Sequence, residues 1–124
     1  MAQKKKILVI DDDPDITDSI KVILEKNNFE VNIVREGKKG AEAVDKNKPD
    51  LVLCDMMMEE VDTGTKVAQE IKKKHSALPI FLLSSIGTAT ASNVEIQKLG
   101  FNGVFQKPIY PEQLISTIKK ALKI

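Results

Sequence analysis

The 124-residue chain has one cysteine and one histidine. Cys54 alone cannot close an internal disulfide, which fits a reducing cytosol. His75, the sole histidine, offers neither a histidine metal cluster nor a Ser-His-Asp triad. It sits at a helix end among lysines, where solvation is the expectation. An excess of one charge is missing too: 19 basic against 18 acidic side chains leave a formal net charge of +1. That balance argues against whole-protein attraction to nucleic acid or a membrane surface. No apolar run approaches the ~20 residues of a membrane-spanning helix. Ile7 to Ile10 is too short for the apolar core of a secretory leader. Long linkers and internal repeats are absent.

What remains is a composition 42% hydrophobic and 30% charged, neither disordered nor membrane-embedded. The length suits one domain with a real core and no staples. A single domain over residues 1–124, with no output domain, is expected.

Short apolar runs end in acids or a lysine. Ile7-Leu8-Val9-Ile10 leads into Asp11, Asp12 and Asp13; Leu51-Val52-Leu53-Cys54 leads into Asp55; Val104-Phe105-Gln106 leads into Lys107 and Pro108. Such runs read as strands buried on both faces of a parallel sheet. Between them lie helical stripes. Asp13-Pro14 predicts an N-cap followed by proline at the first helical position, with Ile16, Ile20, Ile23 and Leu24 inward. Glu30 to Val34 predicts a second strand, and Ala41, Ala43 and Val44 a short second helix. Val67, Ala68 and Ile71 mark a third helix with a lysine-rich last turn that suits the helix dipole. Pro79 to Leu83 predicts the fourth strand, ending at Ser84-Ser85. A further helix closes near Gly100, and Pro111 opens the last one, with Leu114, Ile115, Ile118 and Leu122 inward. Five βα units in succession predict an α/β fold: a five-stranded parallel sheet, helices on both faces, doubly wound and flavodoxin-like, in strand order 2-1-3-4-5. Its crevice would open between strands one and three.

Asp11, Asp12 and Asp55 would then meet at one sheet edge and repel one another, and a divalent cation relieves that repulsion. Magnesium accepts a few carboxylates plus waters and phosphate oxygens. An aspartate can also act as a nucleophile and form an aspartyl phosphate. Phosphoryl transfer needs mainly positioning and neutralisation of charge, which Mg²⁺, the Lys107 ammonium and the Ser84 hydroxyl would supply. Asp13 reads as a cap, and Met56 to Met58 as packing or adaptable surface.

On these motifs, ILVIDDDPD, DLVLCDMMM, PIFLLSS and VFQKP in this order, the chain resembles the receiver domain of two-component response regulators over nearly its whole length. The resemblance implies Asp55 as phosphoacceptor and Asp11 and Asp12 as the acidic pair. It implies that Mg²⁺ is held by Asp11, Asp12, Asp55 and the Met57 backbone carbonyl. Ser84 would hydrogen-bond the phosphoryl group, Lys107 would ion-pair with it, and the Lys107–Pro108 bond would be cis. It also implies a cytoplasmic protein, a monomer or weak homodimer, phosphorylated by a sensor histidine kinase or phosphotransfer protein and read by a downstream protein partner. Its chemistry would be confined to self-phosphotransfer and autodephosphorylation. The pattern is broken at Glu59, where proline is common, at Asp62-Thr63-Gly64, one residue longer than the usual turn, and at Val104, where an aromatic is usual. Two other readings stand beside it. One is a phosphate-independent module. The other is an aspartate-nucleophile phosphatase, which normally carries a second acid where Met57 stands.

Overall fold

Asp13 starts the first helix where its side chain predicts. Its backbone is extended, its carboxylate accepts the Asp15 N–H at 2.9 Å, and Pro14 follows at the first helical position. Helix α1 (Pro14–Lys26) buries Ile20 and Leu24 completely, with Ile16 and Ile23 packed at the edge of the same cluster. Thr17 is also fully buried on that helix, a polar residue the apolar stripe does not announce. Asn28 turns the chain with φ 70°, a conformation asparagine tolerates, and the second strand follows.

The computed structural model describes residues 4–55, 63–84, 101–106 and 109–124. Its strands are β1 (Lys6–Ile10), β2 (Glu30–Val34), β3 (Leu51–Asp55), β4 (Ile80–Ser84) and β5 (Gly103–Gln106). A 3₁₀ turn (Gly37–Lys39) runs into α2 (Gly40–Asn47); α3 (Thr63–Lys74) and a C-terminal helix (Pro111–Leu122) complete the described helices. The helix expected before Gly100 lies outside the described residues. Every strand pairing is parallel and the order is β2-β1-β3-β4-β5, as the alternation of elements predicts. No helix among the described residues is long and apolar enough to cross a membrane.

The two central runs are covered on both faces: Ile7 to Ile10 and Leu51 to Cys54 are each 0% exposed. Alternation sends Ile7, Val9, Leu51, Leu53, Phe81, Leu83 and Phe105 to the side of α1 and the C-terminal helix, where Leu114 and Ile118 meet them. Leu8, Ile10, Val52, Cys54, Ile80 and Leu82 face α2 and α3 through Ala41, Val44 and Ile71. Val104 is half-buried on this second side, whereas Phe105 is buried on the first, its ring 5.4 Å from that of Phe81. Phe105 is therefore committed to the core and is no substitute for an aromatic at Val104.

Phe81 lies over Gly103, its partner in the β4–β5 register. A Cβ on Gly103 would stand 2.8 Å from Phe81 Cε1. The ring cannot retreat cheaply, because it packs on Phe105 and is itself buried. Gly103→Ala is expected to cost about 1–3 kcal/mol in a denaturant melt, the usual penalty of overpacking. An unchanged midpoint would show that the ring swings aside freely.

Two ties at the lower end of the sheet join distant segments. Lys72 Nζ donates to the Leu78 carbonyl at 2.6 Å and to Asn102 Oδ1 at 3.1 Å, and Asn102 Oδ1 also accepts the Ile80 N–H at 3.0 Å. Partial burial holds the Lys72 ammonium below its ordinary pKa. His75 stays partly exposed, as expected, and also finds a partner. Its Nε2 lies 2.8 Å from Asp45 Oδ1, and Lys74 Nζ stands 3.5 Å from the other oxygen of the same carboxylate. The packing of α2 beside α3 brings these groups together. The His75 hydrogen bond, with help from Lys74, holds the Asp45 carboxyl below its ordinary range.

Candidate functional site

The register of β1 and β3 builds the site. Ile10 pairs with Cys54, so the next residues along the two strands are Asp11 and Asp55. Both acids stand at the carboxyl edge of adjacent central strands, where parallel sheets bind ligands. Asp11 is 0% exposed and Asp55 5%, while Asp12 faces solvent. One carboxylate oxygen from each of the three lies within 4.8 Å of the others.

Local hydrogen bonds fix this arrangement. The Asp11 N–H donates to the Val34 carbonyl at 3.0 Å, tying the loop after β1 to the end of β2. Asp11 Oδ1 accepts the Asp13 N–H at 2.9 Å, which turns the chain sharply through Asp12 into the α1 cap. Beneath the acids lies Cys54, buried as its apolar run predicts, with Sγ 3.6 Å from the Asp55 carbonyl oxygen. Burial pushes the Cys54 thiol up, and the charges of Asp55 and Asp11 push it further. The thiol is thus packing and not a nucleophile at neutral pH.

The donor set fits a hard cation. Three carboxylates gathered this closely in a partly dry site repel strongly. Carboxylate oxygens drawn within 4.8 Å of one another would hold a small hard cation such as Mg²⁺, which would offset their repulsion. Sulfur and imidazole, which softer metals prefer, are not among the ligand groups of this cluster.

The same edge carries the other expected residues by position. Asp55 pairs with Leu83, so Ser84 stands one step nearer the edge and ends β4. Ser84 pairs with Gln106, and Lys107 is the next residue in sequence. Lys107, Pro108, Met57, Glu59 and Asp62 lie outside the described residues, and so do the roles expected of them.

Two residues bordering the site escaped the sequence reading. Arg35 directly follows β2; its Nη1 donates to Thr17 Oγ1 at 3.1 Å and its Nη2 lies 4.0 Å from Asp18 Oδ1. Thr17 Oγ1 in turn donates to the Pro14 carbonyl at 3.2 Å. The available signal was compositional: Arg35 is the only arginine in a lysine-rich chain.

Comparison with known proteins agrees with this geometry. A family model described as response regulator receiver domain matches residues 7–119. The DNA-binding response regulator MtrA of Mycolicibacterium smegmatis is 28% identical over 120 residues, covering 97% of this chain and 51% of that protein. The alkaline phosphatase synthesis transcriptional regulatory protein PhoP of Bacillus subtilis is 28% identical over 124 residues, covering 96% of this chain and 49% of its own length. The chain therefore spans about half the length of these curated relatives. Among solved structures, a CheY-like response regulator receiver domain protein from Methanospirillum hungatei JF-1 superposes with a TM-score of 0.86 at 29% identity, covering 97% of this chain and 94% of its own. The receiver domain of Francisella response regulator 1452 gives a TM-score of 0.84 at 28% identity, covering 97% and 98%.

Proposed function

The chain belongs to the response regulator receiver domain family, and from that membership we propose that it is a phosphorylation-dependent switch that accepts a phosphoryl group on Asp55. The observation that carries this reading is the meeting of Asp11, Asp12 and Asp55 within 4.8 Å at the ends of two central strands.

In the proposed reaction a carboxylate oxygen of Asp55 attacks the phosphorus of a phosphohistidine on a sensor kinase or phosphotransfer protein. The O–P bond forms as the N–P bond breaks. The imidazole leaves with the bonding pair and takes up a proton. Asp55 is nearly sheltered from water, which keeps a nucleophilic carboxylate weakly solvated. Asp11 is held through its bond from the Asp13 N–H, so its second oxygen keeps a defined position. A bound Mg²⁺, held by Asp11, Asp12, Asp55 and the Met57 carbonyl, would neutralise charge on the transferring group. The Ser84 hydroxyl would donate to one phosphoryl oxygen, and the Lys107 ammonium would pair with another. Each transfer is consumed as a change of state instead of a released product. The phosphoryl group shifts an equilibrium between two conformations, and a downstream protein reads the favoured one.

The test is intact mass after incubation with Mg²⁺ and acetyl phosphate or phosphoramidate. One added phosphoryl group is expected, dependent on Mg²⁺ and lost in Asp55→Ala. Steady phosphate release with no adduct, even on trapping with beryllofluoride, would instead indicate a phosphatase. Neither adduct, turnover nor transfer from a phosphorylated kinase would indicate a phosphate-independent module.

A further inference from the structure

We propose that Arg35 is a positioning residue for the acidic pair, acting through Thr17 to hold the β1–α1 loop in its cation-binding shape. The proposal rests on the reading of Asp11, Asp12 and Asp55 as a Mg²⁺ site.

Hydrogen bonds around Asp12 close into a ring. From β2, the Val34 carbonyl takes the Asp11 N–H at 3.0 Å. Asp11 Oδ1 takes the Asp13 N–H at 2.9 Å. The Asp13 carbonyl takes the Thr17 N–H at 3.1 Å. Thr17 Oγ1 takes a guanidinium N–H of Arg35 at 3.1 Å, and Arg35 is bonded in sequence to Val34. The ring thus runs from strand to loop to helix and back. Asp12, the one exposed member of the cluster, hangs from its loop arc. Its exposed carboxylate joins the other two from that loop, so the loop backbone sets where it stands.

The chemistry of the clamp calls for arginine. The guanidinium spans two neighbouring positions of α1 at once, Thr17 Oγ1 through Nη1 and Asp18 through Nη2. A lysine ammonium is a point charge and cannot present that fork. Thr17 is fully buried, so its hydroxyl needs partners; the Pro14 carbonyl accepts its proton and Arg35 donates to it. The Asp18 arm is exposed and contributes little. The Thr17 arm is the one that transmits position. Groups that orient metal ligands without touching the metal commonly change affinity 10–100-fold when removed.

The experiment is a calorimetric titration of the full chain with MgCl₂. Arg35→Ala is expected to weaken Mg²⁺ binding about 10-fold. Thr17→Val should weaken it similarly, and the double variant should be no weaker than the weaker single one, because both cut the same ring. Amide exchange without metal should speed up at Asp12 and Asp13 in Arg35→Ala. A control for general loosening is Asn102→Ala, which breaks the tie at the opposite end of the sheet and should leave Mg²⁺ affinity unchanged. Arg35→Ala binding like wild type, while Asp12→Ala does not bind, would overturn the positioning role and leave the Mg²⁺ site standing. Asn102→Ala weakening binding as much as Arg35→Ala would also overturn it. If wild type and Asp12→Ala bind Mg²⁺ alike, the site itself fails, and the clamp with it.

Discussion

Asp55→Asn is expected to raise the thermal midpoint of the metal-free chain while ending phosphoryl uptake. Most substitutions of buried residues destabilise, so the sign is diagnostic. Asp55 and Asp11 are both buried, and their cluster draws carboxylate oxygens within 4.8 Å. Two unit charges at that spacing or closer, in an effective dielectric of about 20, repel by roughly 3 kcal/mol or more. Water near the edge and local hydrogen bonds reduce the net gain from removing one charge to about 1–2 kcal/mol. For a domain of this size that is a rise of about 3–8 °C. Asparagine keeps the shape, so no cavity offsets the gain. Mg²⁺ should then reverse the order. At a hundredfold excess over its dissociation constant, a ligand stabilises by about 2.7 kcal/mol. Wild type should gain this and Asp55→Asn little of it. Differential scanning calorimetry with and without Mg²⁺ reads both effects. A lowered midpoint in Asp55→Asn without metal would mean that the carboxylates do not strain the fold.

Cys54 should be almost inert to alkylation in the folded chain. Its thiol is buried beneath the two acids, and labelling requires both access and ionisation. For a domain of ordinary stability, the open fraction is about one part in a thousand or less. Iodoacetamide should therefore label the folded chain at least about 1000-fold more slowly than the urea-unfolded chain. The sign of the pH dependence follows from the raised native pKa. Below the unfolded value of about 8.5 both states hold the proton, and stability is fully present. Above it the unfolded chain releases the proton and the folded chain keeps it. Stability then falls as pH rises, by up to about 1.4 kcal/mol per unit. Cys54→Ala lacks this loss, so the difference between the two chains isolates it from lysine and tyrosine titration. Fast labelling at neutral pH would mean that the end of β3 opens readily and that Asp55 is less sheltered than the structure places it.

Much of the architecture was legible because the signals are local or periodic. The buried runs at Ile7 to Ile10 and Leu51 to Cys54 have no polar residue to face solvent, so both faces had to be covered. The Asp13-Pro14 pair encodes a helix start within two residues. Once the strands are parallel and β1 adjoins β3, Asp11 and Asp55 become neighbours by counting along the register. That is why the acidic cluster is legible in the sequence.

The chain by itself determined the order of the described elements, the fold class and which acids share an edge, since each depends on pattern and connectivity. The tertiary structure alone decided which side chains brace that edge. Arg35 reaches Thr17 across 18 positions, His75 reaches Asp45 across 30, and Lys72 reaches Asn102 across 30. No hydrophobic period marks such pairs. Each depends on how a helix is rotated and how far it sits along the sheet, and those are set by packing of the whole core.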